Sequence, residues 1–256
     1  MKALIESSHA ASKLLRRIHD FDWLSGVQLN RLSASMSVDD VEKRHVIFKE
    51  RGVASDIHIL LSGAAQLIDL NSAGERTIVA IVSRGILFDA PALPSAVAHR
   101  FQWEAFRACR VACLSLNTLL GSLAADQSEQ VVGLFEKKFT GSSRMFGRYP
   151  AFVGLGLSRR LAIVLLELGA EFGVCDARGT ILGITLTHQM LAEMIGASRS
   201  RVWAAMNSLN REGMILCEHR QVVLVVQKLS AFAKSGVLTE PALPCSTDIA
   251  PAQYQA

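Results

Sequence analysis

The chain has 256 residues, half of them hydrophobic, with a formal net charge of +4. That is enough apolar material to fill one large or two modest cores, which excludes a fibrous or wholly disordered chain. The charge and a pI near 8.9 are compatible with nucleic acid without requiring it. The five cysteines are odd in number and include no Cys-x-x-Cys pair. Cys109 and Cys113 fall four apart in an expected strand, about 13 Å along it, too far to bond without bending the chain. Reduced thiols in a cytoplasmic protein are the simplest expectation. Met1–Leu15 carries Glu6, His9 and Lys13, so it lacks the unbroken apolar run of a signal peptide, and no segment reaches membrane-spanning length.

In chain order, Leu4–Trp23 has apolar residues at helical spacing, with Leu14, Leu15 and Ile18 as the expected buried face. Phe21, Trp23, Leu24, Leu29 and Leu32 continue a helical lead-in. From Glu42 the pattern changes to short β-like runs at Val46–Phe48, Ile57–Leu61, Ala65–Leu70 and Thr77–Val82. Gly52, Gly63, Gly74 and Gly85 lie eleven residues apart, which predicts successive strand-turn units of a β-roll or jelly-roll barrel. Asn71–Glu75 has the composition of a hairpin loop.

Beyond the barrel, Asn117–Leu123 predicts a short helix and Asp126–Tyr149 a longer one with Val131, Leu134, Phe135 and Phe139 along one stripe. Pro150, Gly154 and Gly156 mark a hinge. Ser158–Phe172 is an amphipathic helix with Leu161, Val164, Leu165 and Leu168 inward and Arg159-Arg160 at its start. The fold class is therefore α+β. The expected divisions are residues 1–125, a barrel with N-terminal helices; residues 126–156, a long helix and hinge; and residues 157–235, a C-terminal domain. Residues 236–256, with Pro241, Pro244, Pro251 and few charges, are expected to be a disordered tail.

Leu186–Leu209 carries the chemistry. Thr187 is an expected N-cap, and Leu191, Met194 and Ile195 give a helical apolar stripe. Gly196 stops that helix, and Ala192, one turn earlier, lets two helices cross closely. Ser198 caps a second helix whose Val202, Met206 and Leu209 point inward. Glu212-Gly213 ends it. Met214–Leu216 begins a strand, Glu218-His219-Arg220-Gln221 is a polar turn, and Val222–Val226 is the return strand. An ordinary helical hairpin in a core is the bland alternative. The following β-hairpin favours a winged helix-turn-helix, with Arg199 and Arg201 at the end that enters a major groove.

At these residues the chain resembles the Crp/Fnr family of bacterial transcription regulators. The matching segments are Leu186–Gln189, Ala192–Arg199 and Leu209–Ile215, and the glycine spacing is similar to that of the family's cyclic-nucleotide-binding barrel. The resemblance implies a homodimer, paired through the long helix, that binds double-stranded DNA at an inverted repeat and has RNA polymerase as a partner. By the same resemblance, the DNA-binding residues are Thr187, His188, Gln189, Ser198, Arg199, Ser200, Arg201, Trp203, Ala204, Asn207 and Arg220. The family commonly has a glutamate at the Ser200 position and an arginine at the Ala204 position, so the operator is expected to differ. Trp203 has two readings of equal weight, contact with a thymine methyl or packing against the wing.

The family's nucleotide pocket has a glycine-rich turn, a glutamate for the ribose, and an Arg-Ser or Arg-Thr pair for the phosphate. The corresponding stretch here is Gly85–Leu93. Asp89 stands where the second glycine would be and Ala90 where the glutamate would be. Arg100, after His99, is one residue out of register, which turns a strand side chain to the other face. The candidate effector pocket is Phe88, Asp89, Ala90, His99 and Arg100, and its signal is expected to be something other than a cyclic nucleotide, or none. No cysteine precedes Cys109, so the family's N-terminal iron–sulfur cluster is not expected. His45, His58 and His99 are lone histidines, so no cofactor is expected, with haem the minority alternative. The rival reading is a small-molecule-binding barrel, or a cupin-like enzyme, whose C-terminal domain serves only dimerisation. No His-x-His occurs to support the enzyme.

Overall fold

A computed structural model describes residues 13–18, 21–49, 56–87, 101–121, 129–130, 132–133, 152, 154–218 and 221–235. The candidate effector pocket (Phe88, Asp89, Ala90, His99, Arg100), Arg220, the stripe Val131, Leu134, Phe135 and Phe139, and the tail lie outside the described residues. The four described positions within the expected long helix, 129–130 and 132–133, are helical.

A lead-in segment and helix α1 (Gly26–Ser35) precede six strands: β1 (Ser37–Val41), β2 (Val46–Lys49), β3 (Asp56–Leu70), β4 (Arg76–Val82), β5 (Gly85–Leu87) and β6 (Phe101–Ser115). Ser25 opens α1 with a capping box completed by Gln28. The strands form one sheet, β1-β6-β3-β4, with β2 also on β6 and β5 also on β3. The two 15-residue strands β3 and β6 pair from Asp56↔Ser115 to Asp69↔Phe101. One half of the roll carries β1 and β5 on its flanks, the other β2 and β4.

Two expected strands, Ile57–Leu61 and Ala65–Leu70, are therefore one. Gly63 is not a turn but a bulge: the β3–β6 register shifts on both sides of it, and its φ is +94°. A Cβ there would lie 2.5 Å from the Ala108 carbonyl oxygen, so the sheet bends at a point only glycine tolerates. Gly74 does sit in a hairpin, where Asn71 Oδ1 accepts from the amides of Ala73 and Glu75.

Strand alternation then sends β3 side chains to three cores. Ile57, Ile59 and Leu61 meet Leu15, Ile18, Phe21, Leu24, Leu29 and Leu32 of the lead-in and α1. Leu60, Ala65 and Leu67 fill the roll with Val79, Phe101, Trp103 and Val111. Ala64 and Ile68, with Ile78 and Ile81 of β4, face the C-terminal region. A short helix α2 (Leu116–Gly121) follows β6.

The C-terminal region comprises α3 (Leu157–Phe172), β7 (Gly173–Asp176), β8 (Gly179–Leu182), α4 (His188–Ile195), α5 (Arg199–Arg211), β9 (Ile215–Glu218), β10 (Gln221–Leu224) and α6 (Val226–Lys234). Leu161, Val164, Leu165 and Leu168 of α3 are 0–2% exposed and form its centre. The wing is part of a four-stranded sheet, β7-β8-β10-β9. The β7–β8 hairpin escapes sequence reading because its strands are short, β7 mostly exposed and β8 mostly half-buried, so no alternation marks them. The return strand also stops at Leu224, and Val226 opens α6, whose Leu229 and Ala233 are buried.

Among the described residues one charged group is buried in the roll. Glu104 is 3% exposed and takes both guanidinium nitrogens of Arg76, at 2.9 and 2.8 Å, together with the amides of Gln66 and Gln102. Burial by itself would raise this carboxyl, but the Arg76 hydrogen bonds, with those of Gln102 and Gln66, hold it below its ordinary value of 4.5. A depressed folded-state pKa stabilises the protein above the ordinary carboxylate range, and that stability is lost as pH falls through the folded value. Glu104→Gln should cost about 1–3 kcal/mol at neutral pH, since Arg76 loses its partner but stays partly in water. The difference between variant and parent should shrink in acid, read by thermal denaturation between about pH 3 and pH 7.

Candidate nucleic-acid interface

The interface is built from two capped helix starts. Thr187 has extended dihedrals, and its hydroxyl accepts from the Met190 amide at 3.1 Å, opening α4. Met190, Leu191, Ala192, Met194 and Ile195 are all buried. Gly196 closes α4 in the left-handed region at φ 64° and ψ 52°. Ser198 then opens α5, its hydroxyl accepting from the Arg201 amide at 3.4 Å, and Val202, Ala205, Met206 and Leu209 turn inward.

At about 100° per residue, Arg199, Trp203, Asn207, Ser200 and Ala204 occupy an outer arc of roughly 140°, with Arg201 about 60° beyond its edge. All six are exposed. Trp203 is 57% exposed, so the described strands of the wing do not cover it. The Ser200 hydroxyl is 3.2 Å from that of Ser198, which ties it to the cap. His188 joins Ser198, Arg199, Ser200 and Trp203 around one depression, where the starts of α4 and α5 meet. Neither helix has an acidic residue in its first turn, so both positive helix ends face outward unopposed. The wing is anchored to this unit: Asn210 Oδ1 accepts from the Cys217 amide at 3.2 Å, and Arg178 reaches Glu218 at 2.6 Å. Glu218 pairs with Gln221, so both are strand residues rather than turn residues.

The remaining candidates fall elsewhere. Thr187 and Gln189 are exposed at the α4 start but do not line the Arg199 depression. Instead they line a cleft of about 470 Å³ between the barrel and α4. Lys43, Arg44, Arg76, Glu104, Thr185 and Glu193 also line it. Nothing in the sequence points to Lys43 or Arg44, which are more than a hundred residues from α4. His58 stacks on Phe48 with ring centroids 4.0 Å apart, and burial pushes its pKa down. His45 is exposed. Among the described residues no group of three or more His, Cys, Asp or Glu is placed to hold a metal ion.

Two capped helices, an outward basic start to the second, and a tethered hairpin define a winged helix-turn-helix protein. Comparison with known proteins agrees. Residues 159–236 match the Crp-like helix-turn-helix domain. The global nitrogen regulator of Nostoc sp. is 26% identical over 190 residues, covering 73% of this chain and 84% of that protein. The nitrogen fixation regulation protein FixK of Azorhizobium caulinodans is 25% identical over 186 residues, covering 70% and 71%. The same fold is found in FixK2 from Bradyrhizobium japonicum, with TM-score 0.61, 21% identity and coverage of 77% and 96%. It is also found in a CooA mutant from Carboxydothermus hydrogenoformans, with TM-score 0.62, 18% identity and coverage of 86% and 95%. The C-terminal region thus carries a Crp-like helix-turn-helix domain, and over most of its length the chain is similar to transcription regulators of the Crp/Fnr type.

Gly196 makes the turn between α4 and α5 in the left-handed region. A Cβ there would meet nothing within 4 Å, so substitution costs only backbone conformation. Gly196→Ala should lose about 1–2 kcal/mol of stability, measured by denaturant unfolding, without creating a clash.

Proposed function

We propose that the chain acts as a homodimer that reads an inverted-repeat DNA site with Arg199, while its barrel responds to a signal other than a cyclic nucleotide, or to none. The observation carrying this reading is the outer arc of α5. Arg199 sits at its start beside two unopposed helix ends, and Arg201 lies off the arc. An arginine on the outer arc reaches base edges, whereas one on the flank reaches phosphate. Thr187, His188, Gln189, Ser198 and Arg220 are assigned to the backbone, Ser200, Ala204 and Asn207 to the groove, and the exposed Trp203 indole to a thymine methyl. Two-fold symmetry places the half-sites about 34 Å apart. RNA polymerase is the expected protein partner, and the cytoplasm the expected compartment.

Fluorescence anisotropy on a duplex selected from random sequence tests the assignment. Arg199→Ala should weaken the selected duplex by about 1–3 kcal/mol and scrambled duplex far less. Arg201→Ala should weaken both alike and flatten the dependence on salt. The opposite pattern would put the register of α5 wrong by a residue or more.

Cyclic AMP should leave DNA binding unchanged. Ala90 offers the ribose no acceptor, and Asp89 would repel the phosphate. Micromolar binding in a calorimeter would overturn this.

A further inference from the structure

The cleft between the barrel and α4 and the depression at Arg199 meet the α4 start at consecutive residues. Thr187 and Gln189 form one wall of the cleft, while His188, the residue between them, lines the Arg199 depression. In a helix-turn-helix the first helix crosses the sugar-phosphate backbone at this end. Across the cleft stand Lys43 and Arg44, on the turn between β1 and β2, both exposed. Neither has an ion-pair partner among the described residues.

That turn is stiff. The Arg44 amide donates to the Ala105 carbonyl at 2.8 Å, and the Ala105 amide donates to the His45 carbonyl at 2.9 Å. Arg44 has φ 72°, and it is the only non-glycine residue with positive φ among those described. Such a conformation is unfavourable for arginine and persists only where surrounding bonds impose it. Its effect is to hold two adjacent cations at a set place beside the α4 start. Of the carboxylates lining the cleft, Glu104 is occupied by Arg76, and Glu193 accepts from Gln189 on its own helix. Glu193 lies more than a turn further along α4 than Thr187, away from the helix start.

We propose that Lys43 and Arg44 are a second, sequence-independent DNA contact. The β1–β2 turn of the sensory barrel binds the phosphate backbone where that backbone passes the start of α4. The inference rests on the DNA-binding reading above and adds to it a contact from the other domain. It would couple the barrel to DNA directly, since a displacement of the barrel relative to α4 would remove two phosphate contacts.

The test is a salt titration of full-length Lys43→Gln/Arg44→Gln on the selected and scrambled duplexes. Each neutralised phosphate contributes about 0.9 to the slope of log affinity against log salt, so the variant's slope should fall by nearly two. The variant's deficit should therefore shrink about tenfold between roughly 50 and 200 mM salt, equally on both duplexes. Lys43→Arg/Arg44→Lys should restore the slope. An unchanged slope would overturn the proposal. So would a loss confined to the selected duplex, which would make the two residues a brace between domains. If the parent protein itself binds neither duplex, it is the DNA-binding reading that fails, and Lys43 and Arg44 fall with it.

Discussion

The shared core between the outer face of the roll and the helix-turn-helix is the constraint on which the rest depends. Ala64, Ile68, Ile78 and Ile81 lie in the same cluster as Leu161, Leu165, Met190, Met194 and Val202, and all are nearly excluded from solvent. A sheet face this apolar must be covered, because exposing it would cost about 25 cal/mol for each Å². Here the covering layer is the DNA-binding unit itself, with α4 lying on β4. A hydrogen-bonded clasp reinforces the contact: the amide and hydroxyl of Ser83 donate to Glu171 Oε1 at 2.6 and 2.7 Å. Movement of the reading head is thus a movement of packed surfaces, which tend to have discrete arrangements rather than a continuum.

The buried Glu104 network sits at the rim of that contact. Such a group is costly to desolvate and stays only if every lone pair finds a donor. Arg76, Gln66 and Gln102 supply them from three different strand segments. The network therefore holds β3, β4 and β6 in register just where the barrel meets α4. Arg76 itself feels the carboxylate of Glu193 on α4, so the barrel's buried charge is not electrically isolated from the DNA-binding unit.

Local signals make the reading head legible in the amino-acid sequence. Thr187, Gly196, Ser198 and Gly213 are caps and stops whose roles follow from hydrogen-bonding capacity and left-handed backbone within a few residues. The stripe Val202, Met206 and Leu209 likewise needs only helical geometry. The barrel is legible in class but not in detail. The eleven-residue glycine period predicts turns, yet Gly63 is a bend inside one long strand. A bulge and a turn both require positive φ, and only the partner strand distinguishes them. The β7–β8 hairpin is hidden for a related reason, since short strands with mixed exposure carry no period.

The sequence alone is sufficient for whatever depends on neighbours within about one helical turn: the winged helix-turn-helix, its caps, its outward arginines and its inward stripe. Tertiary structure alone decides what depends on residues far apart in the chain. It places Arg76 on Glu104, lays β4 under α4, and brings Lys43 and Arg44 opposite Thr187 and Gln189. The physical reason is that helix caps and periodicity are set by local backbone geometry. Charge pairs and clefts between domains are set instead by which faces must be buried together, and no short window of sequence contains both faces.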